Sequence, residues 1–171
     1  MKRAEEKNET AIGNGSLKLP LRGKAYFQVW GGPYLSRPLD HVGIKLAAEI
    51  TKHCDIDLPI RDFGVPSKED LRNAVENAVH LILQGERVYI GCMGGFGRTG
   101  LFLAALAKTF GIKDSVSYVR RNYTHRAVET SEQQRLVEEF TPTQHTIDMI
   151  KREKFWVWFS PWKKNLTNSR Y

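Results

Sequence analysis

Arg87-Val88-Tyr89-Ile90-Gly91, then Cys92-Met93-Gly94-Gly95-Phe96-Gly97-Arg98-Thr99-Gly100, then Leu101-Phe102-Leu103-Ala104-Ala105-Leu106-Ala107 is the stretch that decides this fold. Its first part, rich in β-branched and aromatic residues, reads as a strand. Its last part is apolar all round and reads as a buried helix. Between them lies a glycine-rich turn. Such a strand–loop–helix junction gathers backbone N–H groups around one concave point, with the positive end of the helix dipole behind them. Glycine supplies the backbone angles that let successive N–H groups turn inward. The turn is therefore an anion cradle, opened by Cys92 and closed by Arg98. Arginine's planar fork grips two oxygens of a phosphoryl group. A positive environment favours the thiolate form of a cysteine, and a thiolate beneath a bound phosphate is a nucleophile aimed at phosphorus.

Working outward from this junction, Ala25 to Trp30 reads as a strand closed by Gly31-Gly32-Pro33. A helix is expected from Asp40, as N-cap, to Thr51. Residues 55–60 read as a short extended segment, and Arg61 to Pro66 as a loop. Leu71, Ala74, Val75, Ala78, Val79 and Ile82 recur at helical spacing, so Ser67 to Leu83 is the clearest helix. Ser67 and Asp70 supply an S-x-x-D start and Gly85 a stop. Further helices are expected near 114–122, 131–140 and 143–154. With no internal repeat and no linker, the order of elements predicts a single α/β domain. Its central, mostly parallel sheet is flanked by helices, with the phosphate loop between the last strand and the buried helix. Residues 1–16 read as a flexible N-terminal tail, 17–154 as the domain, and 155–171 as an aromatic and basic C-terminal segment packed on it.

At 171 residues the chain suits one domain with a real core. No apolar run reaches the roughly 18–20 residues of a membrane span, and the opening MKRAEEKNET lacks the apolar stretch of a secretory signal. Cys54 and Cys92 are the only cysteines, which suggests no disulfide framework and a reducing, cytoplasmic setting. The formal net charge of +7 favours anionic partners, or merely keeps the surface soluble.

Cys92-x5-Arg98 followed by Thr99 resembles the signature loop of the cysteine-dependent phosphatases, the protein tyrosine and dual-specificity phosphatases. The short chain is more similar to the compact dual-specificity type. The resemblance implies that Cys92 attacks phosphorus, that Arg98 and the loop from Met93 through Gly94, Gly95, Phe96 and Gly97 bind the phosphate, and that Thr99 assists the thiolate. It implies no metal and no other cofactor. Asp62-Phe63-Gly64-Val65-Pro66 resembles the family's loop bearing the general acid, which assigns that role to Asp62, with Asp55 and Asp57 as rivals. Arg126 to Gln133 is similar to the segment whose glutamine positions water, which implies that role for Gln133. Two departures stand out: Gly91 replaces the histidine that usually precedes the cysteine, and Glu129 stands where many members carry glutamine.

The implied function is hydrolysis of a phosphate monoester through a cysteinyl-phosphate, with a phosphorylated protein side chain as substrate. The resemblance offers an RNA 5′-triphosphatase as the alternative, since family members with a similar neutral loop act on RNA ends and this chain is basic. A non-catalytic phosphate-binding module is the alternative from another class. Thr130 and Gln133 also form a T-x-x-Q capping box, a structural role for the glutamine. Asp62-Phe63-Gly64 spells a kinase motif, but no HRD loop accompanies it. Gly95 to Gly100 spells GxGxxG, but mainly helices follow rather than a βαβ unit. His53 beside Cys54 lacks a second ligand pair at metal-binding spacing. Trp156, Trp158 and Trp162 among Lys151, Arg152, Lys154, Lys163 and Lys164 offer stacking or membrane contacts as an alternative to simple packing.

Overall fold

The computed structural model describes residues 15–159. Its strands are β1 (Gly15–Pro20), β2 (Tyr26–Pro33), β3 (Val42–Ala47), β4 (Ile56–Ile60) and β5 (Val88–Cys92). Its helices are α1 (Lys68–Leu83), α2 (Gly97–Thr109), α3 (Ser115–Asn122), α4 (Ser131–Glu139) and α5 (Gln144–Phe159). The strands form one sheet in the order β1-β2-β5-β3-β4. β1 is antiparallel to β2, and the other neighbours are parallel. This is the mixed α/β domain with a mostly parallel, helix-flanked sheet that the sequence predicts. Among the described residues no helix is long and apolar enough to cross a membrane.

β5 lies at the centre of the sheet, and all five of its residues are buried. A strand covered on both faces reads as a continuous apolar run rather than an alternation. The following α2 is buried along nearly its whole length, as its sequence requires. α1 begins where Ser67 Oγ accepts the Asp70 N–H at 3.0 Å. It ends before Gly85, whose φ of +87° suits glycine. Its six apolar positions are all buried.

Three elements differ from the sequence reading. Residues 40–51 do not form a helix: Val42–Ala47 is β3, buried between β5 and β4. Val42, Ile44 and Leu46 alternate with Gly43 and Lys45, but Val42, Leu46 and Ile50 also recur at helical spacing, so only pairing decides. Asp40 is not a cap; its carboxylate pairs with Arg87 at 2.7 Å and contacts His41 Nδ1 at 3.0 Å. β2 continues through Gly31-Gly32-Pro33, because Gly32 pairs with Gly91 on β5. β1 is an additional strand with Leu17 and Leu19 buried, and its first two residues fall in the expected tail. The rest of that tail, residues 1–14, lies outside the described residues, as do 160–171. The division suggested between 154 and 155 falls inside α5.

The connection from β2 to β3 crosses β5, because β5 sits between those two parallel strands. Tyr34 lies on this crossing. A Cβ on Gly91 would sit 2.7 Å from Tyr34 Cα and 2.9 Å from the Gly32 carbonyl oxygen. These are backbone atoms that cannot step aside. Glycine at 91 is thus a consequence of how the chain crosses its central strand.

Candidate active site

β5 delivers Cys92 to the mouth of the loop, and α2 starts at Gly97, so residues 93–96 alone make the turn. Gly95 takes φ +75°, a left-handed angle that tightens the loop. Its N–H points at Cys92 Sγ, 3.2 Å away. Thr99 Oγ1 donates to the same sulfur at 3.2 Å and accepts the Cys92 N–H at 3.1 Å. The sulfur therefore has two donors aimed at it, an arrangement that stabilises negative charge. Tyr123, at the end of α3, donates its hydroxyl to the Gly95 carbonyl at 2.6 Å and braces the loop from behind. Met93 and Gly94 are exposed at the rim, and Phe96 lies beneath the Arg126 guanidinium at 3.8 Å from its ring centroid.

Arg98 is only 3% exposed and is gripped from several sides. Glu49 accepts both ends of its fork at 2.8 Å, and the Ile60 carbonyl accepts from Nη1 at 3.0 Å. Burial works to lower the Arg98 pKa, but the Glu49 hydrogen bonds, with the Cys92 and Asp62 charges adding, outweigh it and leave it raised. In return, the arginine holds the Glu49 carboxyl below the ordinary carboxylate range. Glu49 follows β3 and is the partner that sequence reasoning missed; no local motif marks it.

Asp62 arrives on the loop after β4, with its Oδ1 3.0 Å from Arg98 Nη2. The same oxygen accepts the Phe63 N–H at 3.2 Å. Unlike Arg98, Asp62 is exposed (66% for its side chain). The rival acids serve elsewhere: Asp55 accepts the Gly43 N–H at 2.7 Å, and Asp57 pairs with Lys45 at 3.2 Å. A groove of about 730 Å³ borders this loop at Arg61 and Gly64 to Pro66 but touches no residue of the phosphate loop.

Gln133 is fully buried at the start of α4, where Thr130 is the N-cap: the Gln133 N–H donates to Thr130 Oγ1 at 3.1 Å. Its side-chain oxygen accepts the Glu129 N–H at 2.9 Å, and its Nε2 donates to the Gly64 carbonyl at 3.2 Å. Gln133 thus ties the aspartate loop to the segment behind the phosphate loop. The Glu129 carboxylate packs where a Cβ on Gly97 would stand, which explains glycine at that helix start. Cys92, Arg98, Thr99 and Asp62 come together, with Gln133 one step behind them.

A thiol under converging donors, a clamped arginine and an adjacent carboxylate are thus gathered at the end of a central parallel strand. Residues 35–111 match the family model Tc-R-P, described as "Polymorphic toxin system, DSP-PTPase phosphatase". That stretch holds Asp62 and the whole loop, while Gln133 lies beyond it. The uncharacterized protein MJ0215 of Methanocaldococcus jannaschii is 41% identical over 83 residues, covering 48% of this chain and 52% of the relative. The chain thus spans about half the length of that curated relative. Among solved structures, Tk-PTP in its active form is similar with a TM-score of 0.53 at 27% identity, over 71% of this chain and 94% of that one. DUSP15 has a similar fold, with a TM-score of 0.52 at 14% identity over 82% and 97%. Over residues 35–111 the chain is thus similar to the dual-specificity and tyrosine phosphatases of the cysteine-dependent superfamily.

Proposed function

We propose that this protein hydrolyses phosphate monoesters through a cysteinyl-phosphate intermediate on Cys92. The observation that carries this reading is the convergence of the Gly95 N–H and the Thr99 hydroxyl on Cys92 Sγ, beside the clamped Arg98. In the first step the thiolate attacks phosphorus, an S–P bond forms, and the bond to the ester oxygen breaks. Asp62, entering protonated, gives its proton to that leaving oxygen. Arg98 and the loop amides hold the equatorial oxygens as charge builds on them. In the second step water attacks phosphorus and Asp62 takes its proton. The S–P bond breaks, releasing inorganic phosphate and restoring the thiolate. Gln133 acts by keeping the aspartate loop and the helix start in register, since both ends of its buried amide are engaged by backbone groups.

The substrate we favour is a phosphorylated tyrosine, serine or threonine side chain. An RNA end would call on a tract of free cations for successive phosphates. Two of the basic residues that would make such a tract are already engaged: Arg120 donates to the Ala127 and Val128 carbonyls at 3.0 and 2.8 Å, and Lys154 to the Phe110 carbonyl at 3.0 Å. The test is turnover of a phosphotyrosine peptide and of a 5′-triphosphorylated oligonucleotide by wild type and Cys92→Ser over a range of salt. Cysteine-dependent turnover of the peptide with shallow salt dependence is expected. Faster, steeply salt-sensitive cleavage of the oligonucleotide would move the substrate to RNA, and no turnover of either would leave a binding module.

A further inference from the structure

Glu76 and His80 stand four residues apart on α1 and so share one face of the helix. The first turn of α5 brings His145 against them. One ligand atom from each of the three lies within 4.8 Å of the others. The two imidazole rings are 6.1 Å apart and inclined by only 38°. Glu76 is held in place: Thr143 Oγ1 at 2.7 Å and Thr146 Oγ1 at 2.9 Å both donate to its Oε2. The two hydroxyls therefore fix the carboxylate's orientation from one side. Hydrogen bonds of this kind behind a ligand are how metal sites orient their carboxylates.

We propose that Glu76, His80 and His145 bind a divalent transition-metal ion of the zinc class at the junction of α1 and α5. Two imidazoles and one carboxylate suit such an ion, whereas magnesium and calcium prefer all-oxygen sets. Three protein ligands leave a fourth position for water. Ligand atoms around a tetrahedral zinc stand roughly 3.3 Å apart, given metal–ligand bonds of about 2.0–2.1 Å. The exposed histidines need only turn on their side-chain bonds to close that distance.

This site is separate from the phosphate loop. α1 begins beside the aspartate loop, and His80 lies twelve residues into the helix, about 18 Å along its axis. The ion would clamp α5 to α1, a pairing otherwise made by the Thr143 and Thr146 hydroxyls on Glu76 and by apolar contacts.

The test uses the full chain carrying Cys54→Ser and Cys92→Ser, so that neither thiol takes the metal. Zn²⁺ binding is followed by calorimetry and Co²⁺ binding by visible absorption. One ion per chain is expected, with the strong visible bands of four-coordinate cobalt. His80→Ala and His145→Ala should each weaken binding by about tenfold or more, and Thr143→Val with Thr146→Val by about 10–100-fold. Metal-free melting curves of the histidine variants should match the parent, since both side chains are exposed. Absence of saturable one-to-one binding would overturn the proposal. So would binding that survives both histidine substitutions.

Discussion

The loop that carries Cys92 and the loop that carries Asp62 meet at Arg98, yet they are built in opposite ways. Cys92 and Arg98 are buried, and the cysteine loop is braced by three groups: Thr99 on the sulfur and, from far along the chain, Tyr123 on the Gly95 carbonyl and Glu49 on Arg98. The aspartate loop is exposed, with Phe63 60% accessible, and it is tethered by the Asp62–Arg98 pair and by Gln133 on Gly64. A nucleophile works best under fixed donors, because preorganised dipoles need no rearrangement as charge develops. A general acid must reach leaving groups of different shape, and an exposed loop leaves room for them. The contrast predicts that substitutions in the first loop affect all substrates, and those in the second depend on the substrate.

The largest effect should come from Cys92→Ser, which should reduce hydrolysis of every phosphate ester to background while vanadate or phosphate still binds. Cys54→Ser should stay close to wild type; a dead Cys54 variant would invert the assignment. Asp62→Asn should slow alkyl phosphates by about 10²–10⁴-fold and para-nitrophenyl phosphate much less, because only poor leaving groups need a proton. Equal losses on both would erase the distinction between the loops.

Glu49→Gln tests the brace on Arg98 and has a pH signature. The arginine depresses the Glu49 carboxyl, so the stability from this pair is complete above the ordinary carboxylate pKa and is lost as pH falls through the lower, folded-state value. Wild type should therefore lose stability on acidification over that range, and the variant should show a flatter acid limb with weaker phosphate binding. Unchanged acid melting curves would count against the brace.

Gly91→His would bring a Cβ to 2.7 Å from the Tyr34 backbone. It should destabilise the domain by about 1–3 kcal/mol, as overpacking does, and lower activity with it. A variant as stable as wild type would show that the crossing at Tyr34 yields. Tyr123→Phe removes one hydrogen bond to the loop and should cost about 1 kcal/mol in a denaturant melt. The same fractional loss of kcat on all substrates is expected.

Much of this site is legible from near neighbours along the chain. The run from Arg87 to Phe110 carries its own reading: β-branched residues, glycines with permissive angles, and a helix apolar on all sides. Cys92, Arg98 and Thr99 are therefore visible together, as is the Ser67 cap that starts α1. Asp62 is visible through its spacing to Pro66 and Cys92. Its meeting with Arg98 is not, because that depends on the loop after β4 folding back.

What the sequence alone determined is the set of features that a few consecutive residues encode, since backbone angles, caps and periodicity act over one or two turns. The tertiary structure decided the rest. Residues 42–47 become β3 rather than a helix because β5 and β4 offer edges to pair with, and over six residues an alternating pattern and a helical one cannot be told apart from the chain alone. Glu49 reaches Arg98, and Tyr123 reaches Gly95, across separations of 49 and 28 residues. Gly91 is glycine because the chain from β2 to β3 crosses it. Such contacts are made through space by segments far apart in the chain, and no local pattern specifies which remote group will arrive.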